Sequence, residues 1–123
     1  FSLWPYARIN DPRLKLDDQI ILFKADAMLP PFKMGYFNPH GWLAYWVDGI
    51  LFRKTFEVHP GIPHPDNNCN AEIYCNDQFV ELESLAPLKI LNPGDSVNHA
   101  ETWDVFDGMD SMPEEVRQVL ATS

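Results

Sequence analysis

Long apolar runs are missing from this chain. None approaches the roughly 18 residues of a membrane-spanning helix, and the best, Ile20 to Phe23, is only strand-sized. Basic residues are few and scattered, nine Lys and Arg against eighteen Asp and Glu, for a formal charge of −9 and a pI near 4.6. Phosphate recognition needs clustered Lys and Arg, so no nucleic-acid partner is expected, and no membrane partner either. There are only two cysteines, Cys69 and Cys75. Their spacing fits no zinc or CxxC pattern, and two are too few for a disulfide scaffold, so both are read as free thiols in a reducing, cytoplasmic compartment, with a local disulfide between them as the alternative. No signal peptide is visible, and a chain that opens at Phe1 reads as a mature or trimmed product. Repeats, low-complexity tracts and internal linkers are absent as well.

The 123 residues, 46% of them hydrophobic and 13% aromatic, have the composition of one packed domain spanning 1–123. Eleven prolines and repeated turn dipeptides cut the sequence into short pieces, the mark of an all-β fold. The clearest element is a hairpin: Trp42 to Val47, an Asp48-Gly49 type I′ turn, and a return over Ile50 to Val58. Further strands are expected over Gln19 to Lys24, Ala71 to Cys75, Gln78 to Ser84, Leu88 to Leu91 and Ser96 to Phe106. Ala27 to Phe37 reads as a loop broken by Pro30, Pro31 and Gly35. The proline-rich stretch from His59 to Asn68 reads as a connection that is neither helix nor central strand. Ser111-Met112-Pro113-Glu114 forms a capping box ahead of a short C-terminal helix over Glu114 to Thr122. The expected fold is an antiparallel β-sandwich of seven or eight strands with that one helix.

Several segments then line up in order. Asn68-Cys69-Asn70-Ala71-Glu72-Ile73-Tyr74 is followed by Val80-Glu81-Leu82-Glu83-Ser84-Leu85-Ala86-Pro87, by Leu91-Asn92-Pro93-Gly94-Asp95 and by His99-Ala100-Glu101-Thr102-Trp103. Ser2-Leu3-Trp4-Pro5 and Gly41 to Tyr45 add to the series. Together they resemble the galactose-mutarotase-like, or aldose 1-epimerase-like, superfamily. The resemblance implies the C-terminal half of a β-supersandwich whose concave face binds a sugar, with no cofactor. It matches Glu83 to the family's catalytic base, whereas the family's histidine acid and much of its sugar-binding set lie in an earlier half with no counterpart here.

Mutarotation needs a base at the anomeric hydroxyl and an acid at the ring oxygen. Glu83 is the candidate base, and Glu81, two residues earlier, shares its face on a regular strand. Paired carboxylates repel and raise one pKa toward neutrality; the bland alternative is a solvated face, with Val80 and Leu82 turned inward. His99, like His59 and His64, is a candidate to stand in for the acid, and with Glu101 on its face it forms either a polar pair near Glu83 or a surface pair. His64, Asp66 and Asn70, with His59, Asn67 and Asn68, form a loop able to hold sugar hydroxyls or to be merely a solvated turn. A metal held by His59, His64 and Asp66 is the weaker alternative, and no metal is expected. Trp42, Trp46, Tyr45 and Trp103 are candidate stacking platforms, with Trp42 the first choice and one of Trp42 and Trp46 expected in the core. The functional expectation is a sugar-binding module without mutarotase activity of its own. The alternatives are an isomerase completed by another chain, or a structural domain; a homodimer is expected to cover the open half-sandwich.

Overall fold

A computed structural model describes residues 1–26 and 28–110. The expected C-terminal helix lies outside the described residues. The described residues form nine strands: β1 (Ser2–Leu3), β2 (Leu14–Leu16), β3 (Ile21–Phe23), β4 (Phe32–Tyr36), β5 (Trp42–Val47), β6 (Ile50–Phe56), β7 (Ala71–Cys75), β8 (Val80–Ser84) and β9 (Glu101–Phe106). They form a four-stranded sheet in the order β1-β4-β7-β8, a three-stranded sheet in the order β5-β6-β9, and a β2-β3 hairpin. Every pairing is antiparallel. The all-β antiparallel class read from the sequence is the class observed.

The Ile20 to Phe23 run is apolar at every position because both of its faces are covered. Ile21 and Phe23 pack on a core of Phe32, Met34 and Cys75 in the four-stranded sheet. Ile20 and Leu22 belong to a second core around Leu51, against Trp42, Ala44, Trp46 and Phe106. A strand facing water on one side would alternate; one between two apolar layers does not. A pocket of about 310 Å³, partly open to solvent, is lined by residues of both cores, Ile20, Phe32, Met34, Trp42 and Ile73 among them.

Turn chemistry behaves as read at the main hairpin. Asp48 and Gly49 have φ of 50° and 74°, the left-handed pair a type I′ turn requires. Two sequence readings are corrected. The stretch assigned to a loop contains β4, which begins directly after Pro31 and lies between β1 and β7. Pro30 and Pro31 precede the ladder, so they cost it no donor, and Phe32-Lys33-Met34 alternates as a strand should. Leu88 to Leu91 forms no strand, and Ile90 is 91% exposed. Within the proline-rich connection, Pro65–Asn68 closes one helical turn, but Asp66 and Asn67 have φ of 56° and 60°. It is a left-handed turn, which Asp and Asn tolerate better than other residues with a side chain.

Gly35 in β4 is required by crowding. A Cβ there would lie 2.5 Å from Cys69 Sγ and 3.1 Å from Glu72 Cγ. Both cysteines are free and buried, so the thiol cannot swing into solvent. Gly35→Ala is therefore expected to cost about 1–3 kcal/mol from overpacking, read as a lower urea midpoint with an unchanged m-value.

Candidate functional site

Register sets which side chains share a face. Along β8, Val80, Leu82 and Ser84 point one way and Glu81 and Glu83 the other. Glu83 stands directly across from Glu72 of β7, and Glu72 directly across from Gly35 of β4. Lys33, two residues before Gly35, reaches the same spot. Its Nζ is 3.0 Å from Glu83 Oε2 and 3.4 Å from Glu72 Oε1. The missing side chain at Gly35 is what leaves room for Glu72.

Electrostatics distinguish the two carboxyls. Glu72 is 3% exposed, and its Oε2 has no hydrogen-bond donor among the described residues. Burial, followed by the nearby Asp66 carboxyl, pushes Glu72 up to about 7 against the pull of Lys33. Burial alone would depress Lys33, but its bonds to Glu83 and Glu72 outweigh that and hold it above the usual lysine range. One carboxyl is thus half-buried and salt-bridged, and the other holds a proton near neutral pH. The expected pair on this face was Glu81 with Glu83; the partner of Glu83 is instead Glu72, contributed across the ladder.

Aromatic side chains surround the pair. Lys33 Nζ sits 4.8 Å over the Trp4 ring. Glu81 is opposite Tyr74, whose ring is 5.9 Å from that of Phe79. Tyr6 is 49% exposed, and its phenol is raised first by partial burial and then by Tyr74, Glu83 and Glu81. This side of the sheet therefore brings the Glu83 carboxylate, the Lys33 ammonium and aromatic surface together.

His99 and Glu101 gather on the opposite side of β8, around Ser84 rather than Glu83. Ser84 Oγ is 2.8 Å from His99 Nε2 and donates to Glu101 Oε2. Glu101 Oε1 accepts from the Trp103 indole at 3.2 Å. Lys54 lies 3.4 Å from Glu101 Oε2 and donates to Leu82 O at 2.7 Å. Burial pushes Glu101 up, but the bonds from Ser84 and Trp103 and the charge of Lys54 prevail, so its pKa is lowered. These contacts tie β8 to the three-stranded sheet. The expectation that His99 and Glu101 neighbour Glu83 is corrected, because adjacent residues of a strand point to opposite faces.

The loop residues are occupied in holding the loop. His64 is buried, with Nδ1 2.7 Å from Ile62 O and its ring edge-on to Phe37. Asn70 is buried, accepting from Asn38 N at 2.6 Å and donating to Asn38 O at 2.9 Å. Both are structural, not the open hydroxyl ligands expected. Asp66 alone of the three approaches the Glu72 pair. Trp42 and Trp46 are both half-buried against the Leu51 core, so Trp42 is no open platform. Among the described residues, no three His, Cys, Asp or Glu side chains are grouped to hold a metal.

Sequence reasoning missed Lys33, Trp4, Tyr6, Glu72 as a site residue, and Ser84. The signal for Lys33 was a lone charge between Phe32 and Met34 in a segment dismissed for its prolines. No protein-family model, curated protein or solved structure matches this chain.

Proposed function

We propose that this chain is a carbohydrate-binding β domain, with its ligand face on the Lys33–Glu72–Glu83 side of the four-stranded sheet. The observation that carries this reading is the salt-bridged Glu83–Lys33 pair beside Trp4 on one face. Carboxylate and ammonium are acceptor and donor for sugar hydroxyls, and an indole suits the C–H face of a pyranose. The net charge of −9 favours a neutral sugar over an acidic one. The resemblance to the galactose-mutarotase-like superfamily supports the same reading and the same residue, Glu83. Two buried free thiols suit a reducing, cytoplasmic setting.

The domain does not accelerate mutarotation by itself on this reading. His99 lies across β8 from Glu83, and losing one of two proton-transfer partners costs on the order of a hundredfold to ten-thousandfold in rate. A second reading has one observation in its favour. Glu72 carries a proton near neutrality beside Glu83, the acid–base pairing an aldose 1-epimerase-like isomerase completed by another chain would use. Its 2% side-chain exposure keeps it from direct contact with substrate in this chain.

Polarimetry with glucose and galactose separates the readings. Wild type is expected to leave the mutarotation rate at that of buffer, while Trp4 fluorescence still responds to millimolar sugar and Trp4→Phe loses the response. An acceleration abolished by Glu83→Gln would establish the isomerase instead. Absence of both signals would leave a structural domain.

A further inference from the structure

We infer that the pocket walled by β4, β7 and β8 together with β3 and β5 is a binding site for a small neutral apolar molecule, a compound of a few rings. Protein cores are ordinarily close-packed, with few voids larger than a water molecule. This pocket holds about 310 Å³, at the lower end of the roughly 300–1,000 Å³ of small-molecule sites. Such sites are lined mainly by apolar and aromatic side chains, as this one is.

Register builds the wall. Phe32 stands opposite Cys75, Met34 opposite Ile73, and Ile73 opposite Leu82, so these side chains share one face of the four-stranded sheet. Trp42 and Ala44 of β5 line the pocket as well. Lys33 and Glu83 alternate with the wall residues and turn to the other face. The pocket is therefore separate from the proposed sugar face and lies across the sheet from it. Phe1, Leu16 and Tyr36 also line it, and all three are exposed, which gives the pocket an apolar mouth.

Charge selects the occupant. Among the described residues no Lys or Arg lines the pocket, whereas Asp17 and Asp18 do. A fatty-acid carboxylate would lose water there beside like charge and gain no cation. The chain's charge of −9 acts in the same direction. A cation is not selected either. Asp17 and Asp18 are exposed, and Asp17 Oδ1 already accepts from Gln19 N at 2.9 Å. Pairing with a carboxylate in water gains little, so burial of a neutral apolar body remains the driving force.

Titration with the neutral fluorescent probe N-phenylnaphthylamine tests this, with Ile73→Phe and Ile90→Ser alongside wild type. Wild type should bind one probe per chain, saturably and at micromolar concentration, and decanoate should bind about tenfold more weakly or less. Phenylalanine at 73 fills the pocket, so it should weaken the probe about tenfold or more while keeping the urea midpoint at or above that of wild type. Ile90 is 91% exposed and outside the pocket, so Ile90→Ser should bind as wild type does. Should Ile73→Phe fail to fold, Leu82→Phe takes its place. No saturable binding to wild type, binding undiminished in the folded filled variant, or binding lost in Ile90→Ser would overturn the inference. Decanoate binding tighter than the probe would overturn the choice of a neutral ligand.

Discussion

Glu72→Gln is expected to make the protein more stable than wild type above pH 7 and to flatten its stability between about pH 4.5 and 7. In the folded state Glu72 holds its proton up to about 7, against an ordinary value of 4.5. Between those values the unfolded chain has released the proton and the folded chain has kept it. Stability from this group is therefore present at the acid end and lost as pH rises through 7. The full difference is about 3 kcal/mol at 1.36 kcal/mol per pKa unit. Glutamine keeps an oxygen for Lys33 and offers an N–H toward Asp66, so it removes the cost of ionising a buried group without opening a cavity. Urea unfolding at pH 5 and pH 8 measures it: the wild-type midpoint should fall across that range and the variant's should hold, apart from the contributions of other groups. Glu72→Ala distinguishes charge from packing, because it loses volume at both pH values.

Arg13→Ala should be among the most damaging single changes in the chain. Arg13 is 5% exposed and forks onto Asp11, with Nε–Oδ1 at 3.0 Å and an NH2–Oδ2 distance of 2.8 Å. The same NH2 donates to Pro30 O at 2.7 Å, and the guanidinium lies 5.0 Å from the Phe23 ring centroid. It thus holds the Asp11 turn, the segment entering β4 and the β3 aromatic in one place. Removing one partner of a buried ion pair costs about 3–5 kcal/mol, because the remaining charge loses its compensation. Arg13→Lys should recover only part of that, since an ammonium cannot reproduce the fork or stack flat on the ring. Because β4 carries Lys33, Arg13→Ala should weaken any ligand response at the Glu83 face in proportion to the fraction unfolded. Thermal melts of the three proteins supply the ranking.

Local chemistry made much of the fold readable. The Asp48-Gly49 turn and the apolar runs on either side specify β5 and β6 without tertiary information, and the Val80/Leu82 against Glu81/Glu83 alternation gives the inward and outward faces of β8. β4 was not readable because prolines just outside a strand look like prolines within one, and Gly35 looks like a breaker until Cys69 is placed against it. The same limit applies to the site. Glu83 was legible as an outward carboxylate, but its pairing with Lys33 and Glu72 depends on the β4-β7-β8 register, which no local pattern encodes. The separation of His99 from Glu83 has a similar cause: residues 83 and 84 are neighbours in sequence and face opposite sides, so Ser84 takes both His99 and Glu101. Asn70 and His64 have the residue types of a binding loop, and burial shows that their hydrogen bonds are spent within the fold.

Saturation-transfer NMR with glucose and galactose, run on wild type and on Lys33→Met and Glu83→Gln, tests the proposed ligand face most directly. Wild type should transfer magnetisation to the sugar, and both variants should lose most of that transfer while keeping the wild-type fold by amide spectra. Transfer that is absent in wild type, or undiminished in both folded variants, would contradict the assignment of a sugar to the Lys33–Glu83 face.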